Sequence, residues 1–318
     1  MTYTDTTIQT SLLENTISDE EINKIIRDTT DQPDVSWYSF KFCTPELNEE
    51  YPNLGYMVIK QETTLSKKFD NQLIHSYKCF GEFINDISVL NKLGFIPVII
   101  HGGGKRISNR LNESGIKSDF INGLRVTDEK SINVVEEVLN NFNKEITDSL
   151  KKNNCDSQSI TNKQNNILVV EQENNKLGYV GTPKKINQST IELIVKEKKV
   201  PVIAPLGIDK NNKVFNINAD TAAGAIAKKL NARRLIIMSD VEGVLDNNKK
   251  LISEINTDKI NELINNKTIS GGMIPKIKNC LDVATNGVKG VCIIDGRLNH
   301  SILFELLSDK GSGTLIRL

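Results

Sequence analysis

Short apolar runs alternate with amphipathic stretches from about Leu54 onward, and this alternation constrains the fold more than any other feature of the chain. Apolar residues fill the runs at 56–59, 95–100, 235–238 and 291–294. Between such runs, apolar side chains recur at helical spacing, as at Ile132, Val135 and Leu139. Strands that alternate with helices in units of about 30 residues predict an α/β fold with a mainly parallel sheet covered on both faces. Further elements are expected as a hairpin within 151–190, a strand at 200–204, and helices at 221–230, 275–286 and 300–308.

Composition excludes several classes of protein. The 318 residues can form one large α/β unit or two lobes that share a sheet, and the 40 basic residues balance the 40 acidic ones. The sequence contains no block of basic residues of the kind that binds nucleic acid, so we expect no nucleic-acid partner. Five scattered cysteines and three histidines argue against a disulfide framework or a metal site, so we expect no bound metal. No apolar stretch approaches the roughly 20 residues of a membrane span, which predicts a cytoplasmic protein without a membrane partner.

Residues 1–50 read as an N-terminal extension. The sequence Ser18-Asp19-Glu20-Glu21 fits a capping box, and Ile22, Ile25 and Ile26 follow on one helical face. This pattern predicts a short amphipathic helix near 18–28. The helix packs either on its own chain or on a second subunit.

Two polar segments follow predicted strands, where open parallel sheets bind their ligands. The first is His-Gly-Gly-Gly-Lys-Arg at 101–106, whose bare N–H groups can bind an anion, or whose glycines can form a tight turn. The second is Asn-Gly-Leu-Arg-Val-Thr-Asp at 122–128. Its Arg125 can hold a carboxylate with both arms of the guanidinium, or it can be a solvated surface residue.

Three more segments complete the set of candidates. The string Asn-Ile-Asn-Ala-Asp-Thr-Ala-Ala at 216–223 places Asp220 at a helix start, as a functional group or as a favourable charge at the helix N-terminus. Ser-Asp-Val-Glu-Gly-Val-Leu at 239–245 follows a strand. Gly-Gly-Met-Ile-Pro-Lys at 271–276 places Lys276 at a helix entry.

Taken in order, these five segments resemble the amino-acid kinase family, over residues from about 54 to 318, and within it the enzymes that phosphorylate N-acetyl-L-glutamate. The resemblance implies a three-layer α/β/α sandwich over 51–318, with a substrate lobe at about 51–200 and a nucleotide lobe at about 201–318. It implies transfer of the γ-phosphoryl group of ATP to the side-chain carboxylate of N-acetyl-L-glutamate, in arginine biosynthesis. Mg²⁺ would enter with the nucleotide.

The resemblance also implies a role for each matching residue. Gly103 and Gly104 would bind the substrate and the phosphoryl group, and Arg125 and Asn216 would bind the substrate. Lys60 and Lys276 would neutralise charge on the transferred group, and Asp220 would orient them. The implied nucleotide site consists of Asp240, Val241, Glu242, Gly243, Val244, Leu245, Thr268, Ile269 and Ser270.

One segment departs from the family pattern. The family places two glycines shortly after the lysine of the first strand, whereas Lys60 is followed by Gln-Glu-Thr-Thr at 61–64. Glu62 and Thr63 would hinder close approach of the phosphates, by bulk and by charge. Three explanations remain: a weak enzyme, a loop that turns Glu62 away, or an inactive regulatory subunit that senses arginine.

The C-terminal segments 296–305 and 311–314 are similar to those of arginine-inhibited members of the family, which form hexamers through an N-terminal helix. The resemblance implies a homodimer or hexamer, with His300, Glu305 and Gly311 bordering a site for arginine. Alternatively, His300 caps a helix and Glu305 lies on its solvated face. A related kinase that acts on aspartate, glutamate or an aminoadipate derivative is the other alternative, although the string at 122–127 favours acetylglutamate.

Overall fold

The computed structural model describes residues 56–61, 70–269, 273–308 and 310–317. The predicted helix near 18–28, the Glu62–Thr63 departure and Ser270 lie outside these residues. Within the described part of the chain, no helix is long and apolar enough to span a membrane.

The chain alternates strands and helices in the order that the hydrophobic pattern predicts. The strands are β1 (Tyr56–Gln61), β2 (Ile96–His101), β3 (Phe120–Ile121), β4 (Leu124–Arg125), β5 (Ser157–Ile160), β6 (Leu168–Gln172), β7 (Gly181–Ile186), β8 (Val200–Ile203), β9 (Leu206–Ile208), β10 (Val214–Asn216), β11 (Arg234–Ser239), β12 (Glu254–Ile255), β13 (Val291–Asp295) and β14 (Thr314–Ile316). The helices are α1 (Asp70–Lys92), α2 (Gly104–Glu113), α3 (Glu129–Lys152), α4 (Gln188–Lys196), α5 (Ala219–Lys229), α6 (Thr257–Asn265), α7 (Met273–Thr285) and α8 (Ser301–Leu307).

Eight strands form one sheet in the order β12-β14-β13-β11-β1-β2-β8-β5. Every neighbouring pair is parallel except β13 and β14. The prediction of a mainly parallel sheet is therefore confirmed. β1 lies at the centre, paired with β2 on one side and β11 on the other.

Alternate residues of the central strands pack into different cores on the two faces of the sheet. Val58 belongs to one hydrophobic cluster, and its neighbours Met57 and Ile59 belong to another. The first cluster includes buried residues of α4, α5 and α7, and the second includes those of α1, α3 and α8. Because side chains of a strand point alternately to its two faces, the helices cover both faces of the sheet. This confirms the α/β/α sandwich.

A second sheet, in the order β10-β9-β6-β7, contains the hairpin predicted within 151–190 and ends at Asn216. The pair β3–β4 forms a separate two-stranded ribbon, whose turn residues Asn122 and Gly123 have φ of 50° and 81°. Positive φ at both central residues is what a tight two-residue hairpin turn requires, and Asn-Gly accommodates it. The ribbon carries Arg125. The lobe boundary near residue 200 stays a prediction.

Candidate active site

Lys60 and two of the five predicted site segments lie at the ends of neighbouring strands, at one edge of the sheet. Lys60, whose backbone is in β1, is in register with Ile100 of β2 and Ile237 of β11. The glycine loop follows β2, and the segment 240–245 follows β11. The Gly296 N–H, just beyond β13, donates to the Ser239 carbonyl at 2.7 Å. The sheet thus brings the starts of these segments to one edge, as the rule for parallel sheets predicts.

The glycine loop has different surroundings at its two site residues. Gly103 is buried, and a Cβ added there would lie 2.7 Å from Leu139 Cδ2 of α3. A Cβ at Gly104, the first residue of α2, would meet no atom of the described chain within 4 Å. No hydrogen bond from either N–H group is found to an acceptor in the residues that the structure describes. Gly103 is therefore required by packing, whereas Gly104 faces open space beside a helix N-terminus.

Arg125 is 7% exposed, which contradicts a solvated surface role. Its guanidinium donates to the Gly104 carbonyl at 2.8 Å, to Ser108 Oγ at 2.9 Å and to Ser118 Oγ. It also stacks over the Phe120 ring at 4.6 Å. Burial lowers the pKa of Arg125 below its ordinary value. Because an arginine stays protonated in proteins, the guanidinium keeps its charge. No carboxylate among the described residues lies within ion-pair distance, so Arg125 is a buried cation beside the glycine loop.

Asn216 joins Arg125 through Thr127, a fully buried residue of the same string. Asn216 Nδ2 donates to Thr127 Oγ1 at 3.4 Å, and Thr127 Oγ1 donates to the Arg125 carbonyl at 3.1 Å. A side chain at Gly178 could not fit, because its Cβ would lie 2.3 Å from the Thr127 carbonyl. The structure thus brings the two predicted substrate residues together. Thr127 is an additional supporting residue that sequence reasoning did not single out.

Asp220 and Lys276 form an ion pair, with Oδ2 2.8 Å from Nζ and side chains 17% and 15% exposed. Asn218 caps α5 by accepting from the Thr221 N–H at 3.0 Å, which fixes the turn that carries Asp220. One turn further on, a Cβ at Gly224 would lie 2.8 Å from Val283 Cγ2 of α7. The small residue permits this close helix contact. Asn279 of α7 adds a bond of 2.9 Å to the Asp220 carbonyl.

The loops that carry the predicted nucleotide residues are joined by a hydrogen bond. Thr268 Oγ1 donates to Asn247 Oδ1 at 2.8 Å, which ties the loop after α6 to the loop after β11. The Val244 N–H donates to Thr314 Oγ1 at 2.8 Å, and Gly243 (φ 141°) passes so close to Thr314 that a Cβ would lie 2.6 Å from its hydroxyl. The side chains of Val244 and Ile269 are buried in the core, so only their backbone atoms are available to a ligand. Asp240 and Glu242 are exposed.

Comparison with known proteins identifies the family. A family model described as the amino acid kinase family matches residues 67–295, well over half of the chain. The chain belongs to the amino acid kinase family.

Two members of the family that are similar in sequence are named acetylglutamate kinase. The one from Pelagibacter ubique is 66% identical over 240 residues, which cover 76% of this chain and 83% of that protein. The one from Campylobacter fetus is 45% identical over 242 residues, which cover 76% and 86%. Among solved structures, N-acetylglutamate synthase from Neisseria gonorrhoeae has a TM-score of 0.73 at 20% identity, over 83% of this chain. The chain spans 59% of that synthase, and the likeness shows the shared fold.

The C-terminal residues of this amino acid kinase form two separate sets of contacts. His300 lies at the start of α8 with φ of 56°, and its ring contacts Asp86 Oδ1 at 2.6 Å and Glu82 Oε2 at 3.1 Å, both on α1. Burial raises the pKa of Asp86 to about 6, although the His300 hydrogen bond opposes the shift. His300 occupies the N-cap position of α8, as expected, and its carbonyl accepts from the Phe304 N–H at 3.0 Å, although its ring makes no capping hydrogen bond.

Glu305 contacts the loop that contains Gly311. Its Oε2 accepts from the Ser312 N–H at 2.8 Å and from the Gly313 N–H at 3.2 Å. A Cβ at Gly311 would lie 2.8 Å from the same oxygen. Glu305 therefore does not lie on a solvated helix face, and Glu305 and Gly311 are neighbours. The His300 ring instead packs against α1.

Proposed function

We propose that this chain transfers the γ-phosphoryl group of ATP to the side-chain carboxylate of N-acetyl-L-glutamate, as a step of arginine biosynthesis in the cytoplasm. The observation that carries the proposal is the buried Arg125 guanidinium, which contacts the glycine loop and has no carboxylate partner among the described residues. The name of the relatives that are 66% and 45% identical supports the choice of substrate.

The α-carboxylate of the substrate would bind to Arg125. A guanidinium presents its donors in a planar fork that matches a carboxylate, and a buried cation gains more from such a partner than an exposed one. Asn216, held beside Arg125 through Thr127, would bind a second polar group of the same substrate. The substrate's side-chain carboxylate would then extend toward the N–H groups of Gly103 and Gly104.

Fixed cations on two sides would neutralise the negative charge on the transferred phosphoryl group. Lys276, oriented by Asp220, would supply one cation, and Lys60 at the end of β1 would supply the other. The N–H groups of Gly103 and Gly104 would add donors at a helix N-terminus. Such an arrangement stabilises a phosphoryl-transfer transition state without a covalent enzyme intermediate.

ATP would bind over the segment 240–245 and the loop at 268–270, with Mg²⁺ bound to its phosphates. Within the described ranges, no group of three or more His, Cys, Asp or Glu side chains is arranged to hold a metal ion. Phosphate oxygens are suitable ligands for Mg²⁺, which commonly binds through few protein groups.

An inactive or weak regulatory subunit of the same pathway is the second candidate function. The sequence Gln-Glu-Thr-Thr at 61–64 favours it, because these residues replace the glycines of the family pattern. The Asp220–Lys276 pair favours catalysis, because it keeps a half-buried cation beside the proposed phosphoryl site.

We also propose that arginine inhibits the enzyme by binding near His300, Glu305 and Gly311, and that the protein is a homodimer or a hexamer. The carboxyl groups of Glu82 and Asp86 lie at the start of α8, and that of Glu305 lies on the helix itself beside the loop of Gly311; these charges would attract a cationic amino acid. Loss of turnover in millimolar arginine, but not in millimolar lysine, would support this. Equal rates with and without arginine would contradict it.

The function is tested by trapping the acyl phosphate as a hydroxamate, with Mg-ATP and a panel of acceptors. We expect product with N-acetyl-L-glutamate and little with glutamate, aspartate or aminoadipate. A preference for one of the unacetylated acids would contradict the proposed substrate. A folded protein that binds N-acetyl-L-glutamate or arginine and yields no hydroxamate would favour the regulatory subunit.

A further inference from the structure

His101 is a buried polar residue at the end of β2, and the proposed reaction assigns it no role. Its side chain is 0% exposed, and it packs edge-on against the Phe142 ring of α3. Its Nδ1 lies 2.8 Å from the carbonyl oxygen of Gly102, and its Nε2 lies 3.2 Å from Asn143 Nδ2. Both ring nitrogens therefore have partners inside the protein.

The hydrogen-bond chain through His101 has only one consistent set of donors and acceptors. Asn143 Nδ2 faces the Val202 carbonyl at 2.9 Å, and a carbonyl can only accept, so the amide nitrogen must lie on that side. Asn143 Oδ1 correspondingly accepts from Ser159 Oγ at 2.5 Å. The amide then donates its second hydrogen to Nε2, which must be unprotonated.

The hydrogen bond at the other ring nitrogen, Nδ1, leads to the same tautomer independently. The Gly102 carbonyl is also an obligate acceptor, so Nδ1 must carry the proton and donate to it. Burial lowers the pKa of His101 to about 4, a shift that the nearby Arg106 charge reinforces and the Gly102 bond opposes. The ring is therefore neutral at ordinary working pH.

The bond to Gly102 fixes the orientation of the next N–H group. The described chain contains no cis peptide bond, and in a trans peptide the C=O and the N–H point to opposite sides. With the Gly102 carbonyl directed at the His101 ring in the interior, the Gly103 N–H is directed away from that interior. A peptide between two glycines has more freedom to rotate than others, so a fixed carbonyl partner has a large effect on it.

We propose that His101 is a positioning residue for phosphoryl transfer: its Nδ1–H holds the Gly102 carbonyl so that the Gly103 N–H is aimed at the transferred group, and Asn143 fixes the tautomer that does this. The proposal rests on the proposed function. It explains why a histidine at a strand end is packed against α3 rather than exposed to the substrate.

Two isosteric variants test the proposal. Asparagine carries its amide nitrogen near the position of Nδ1 and keeps a donor for Gly102, whereas glutamine places its amide near Nε2. We expect His101→Asn to keep kcat within about 5-fold, and His101→Gln to lower kcat by about 100-fold, the usual effect of losing one such donor. KM for both substrates should change little. Equal losses of kcat in the two variants, or a loss confined to KM, would overturn the proposal.

A second measurement uses only the unmodified protein. In protein labelled with ¹⁵N-histidine, the His101 Nδ1 resonance should be of the protonated type and Nε2 of the unprotonated type at pH 7. A protonated Nε2 would overturn the proposal even if His101→Gln failed to fold. Wild-type turnover is measured in parallel, with Lys276→Ala as the inactive control. If the wild type shows no turnover and the expected tautomer is found, the proposed function is refuted, whereas the hydrogen bond from His101 to the Gly102 carbonyl is supported.

Discussion

Lys276 Nζ lies 2.8 Å from Asp220 Oδ2, and this ion pair joins the first turns of two helices, α5 and α7. The close contact of Gly224 with Val283 sets the distance between these helices. The position of Lys276 therefore depends on Gly224, which lies one turn beyond Asp220 in α5.

Replacing Lys276 by alanine should lower kcat by about 100-fold or more, because a fixed cation at the phosphoryl group is lost. The matched control is Lys278→Ala, which removes an exposed lysine of the same helix and should leave kcat unchanged. Steady-state kinetics with both substrates measures the effect. Equal activity of the two variants would contradict the assigned role of Lys276.

Gly103 and Gly104 should respond differently to alanine. Gly103→Ala should reduce the free energy of unfolding by about 1–3 kcal/mol, because its Cβ would collide with Leu139. Gly104→Ala should leave stability unchanged, because its Cβ meets nothing within 4 Å, yet lower kcat by about 10-fold or more by obstructing the ligand. Urea unfolding and kinetics separate the two effects. Full activity of a folded Gly104→Ala variant would contradict a close approach of the ligand to the backbone of Gly104.

Arg125→Lys should raise KM for N-acetyl-L-glutamate by about 10- to 100-fold, because a lysine cannot replace the two parallel bonds of the guanidinium. KM for ATP should stay within about 2-fold. Arg110→Lys on α2, an exposed residue with ion pairs of 3.6 Å and 3.7 Å, is the control. An unchanged KM for N-acetyl-L-glutamate in Arg125→Lys would contradict the proposal that Arg125 binds the substrate carboxylate.

Protonation of His101 should destabilise the protein in acid. Its pKa is about 4 in the folded protein, below its ordinary value of 6.5, so folding favours the neutral ring. The contribution to stability is therefore complete above pH about 6.5 and is lost as the pH falls toward 4. The difference in unfolding free energy between wild type and His101→Asn should shrink by roughly 3 kcal/mol over this range. A difference that is constant with pH would contradict burial of a neutral ring.

The sequence predicted the elements with strong periodicity. The apolar run at 95–100 corresponds to β2 within one residue, and the helical spacing of Ile132, Val135 and Leu139 falls within α3, because buried apolar residues repeat at the spacing of each element. The short antiparallel strand β14 and the helix α4 were not predicted. β14 is three residues long, and its position depends on pairing with the distant β13.

The site was predicted less completely, because its contacts join residues far apart in the chain. Arg125 could be read as a surface residue, since the Gly104, Ser108 and Ser118 groups around it come from other elements. The role of His101 was missed for the same reason. Its partner Asn143 is 42 residues away on α3, within a helix whose pattern indicated only packing.

The central claim is tested most directly by ³¹P NMR of the purified protein with Mg-ATP and N-acetyl-L-glutamate. We expect an acyl-phosphate resonance that grows as ADP appears, depends on N-acetyl-L-glutamate and is absent with Lys276→Ala. A folded protein that binds both substrates and forms no acyl phosphate would contradict the account and would favour the regulatory subunit.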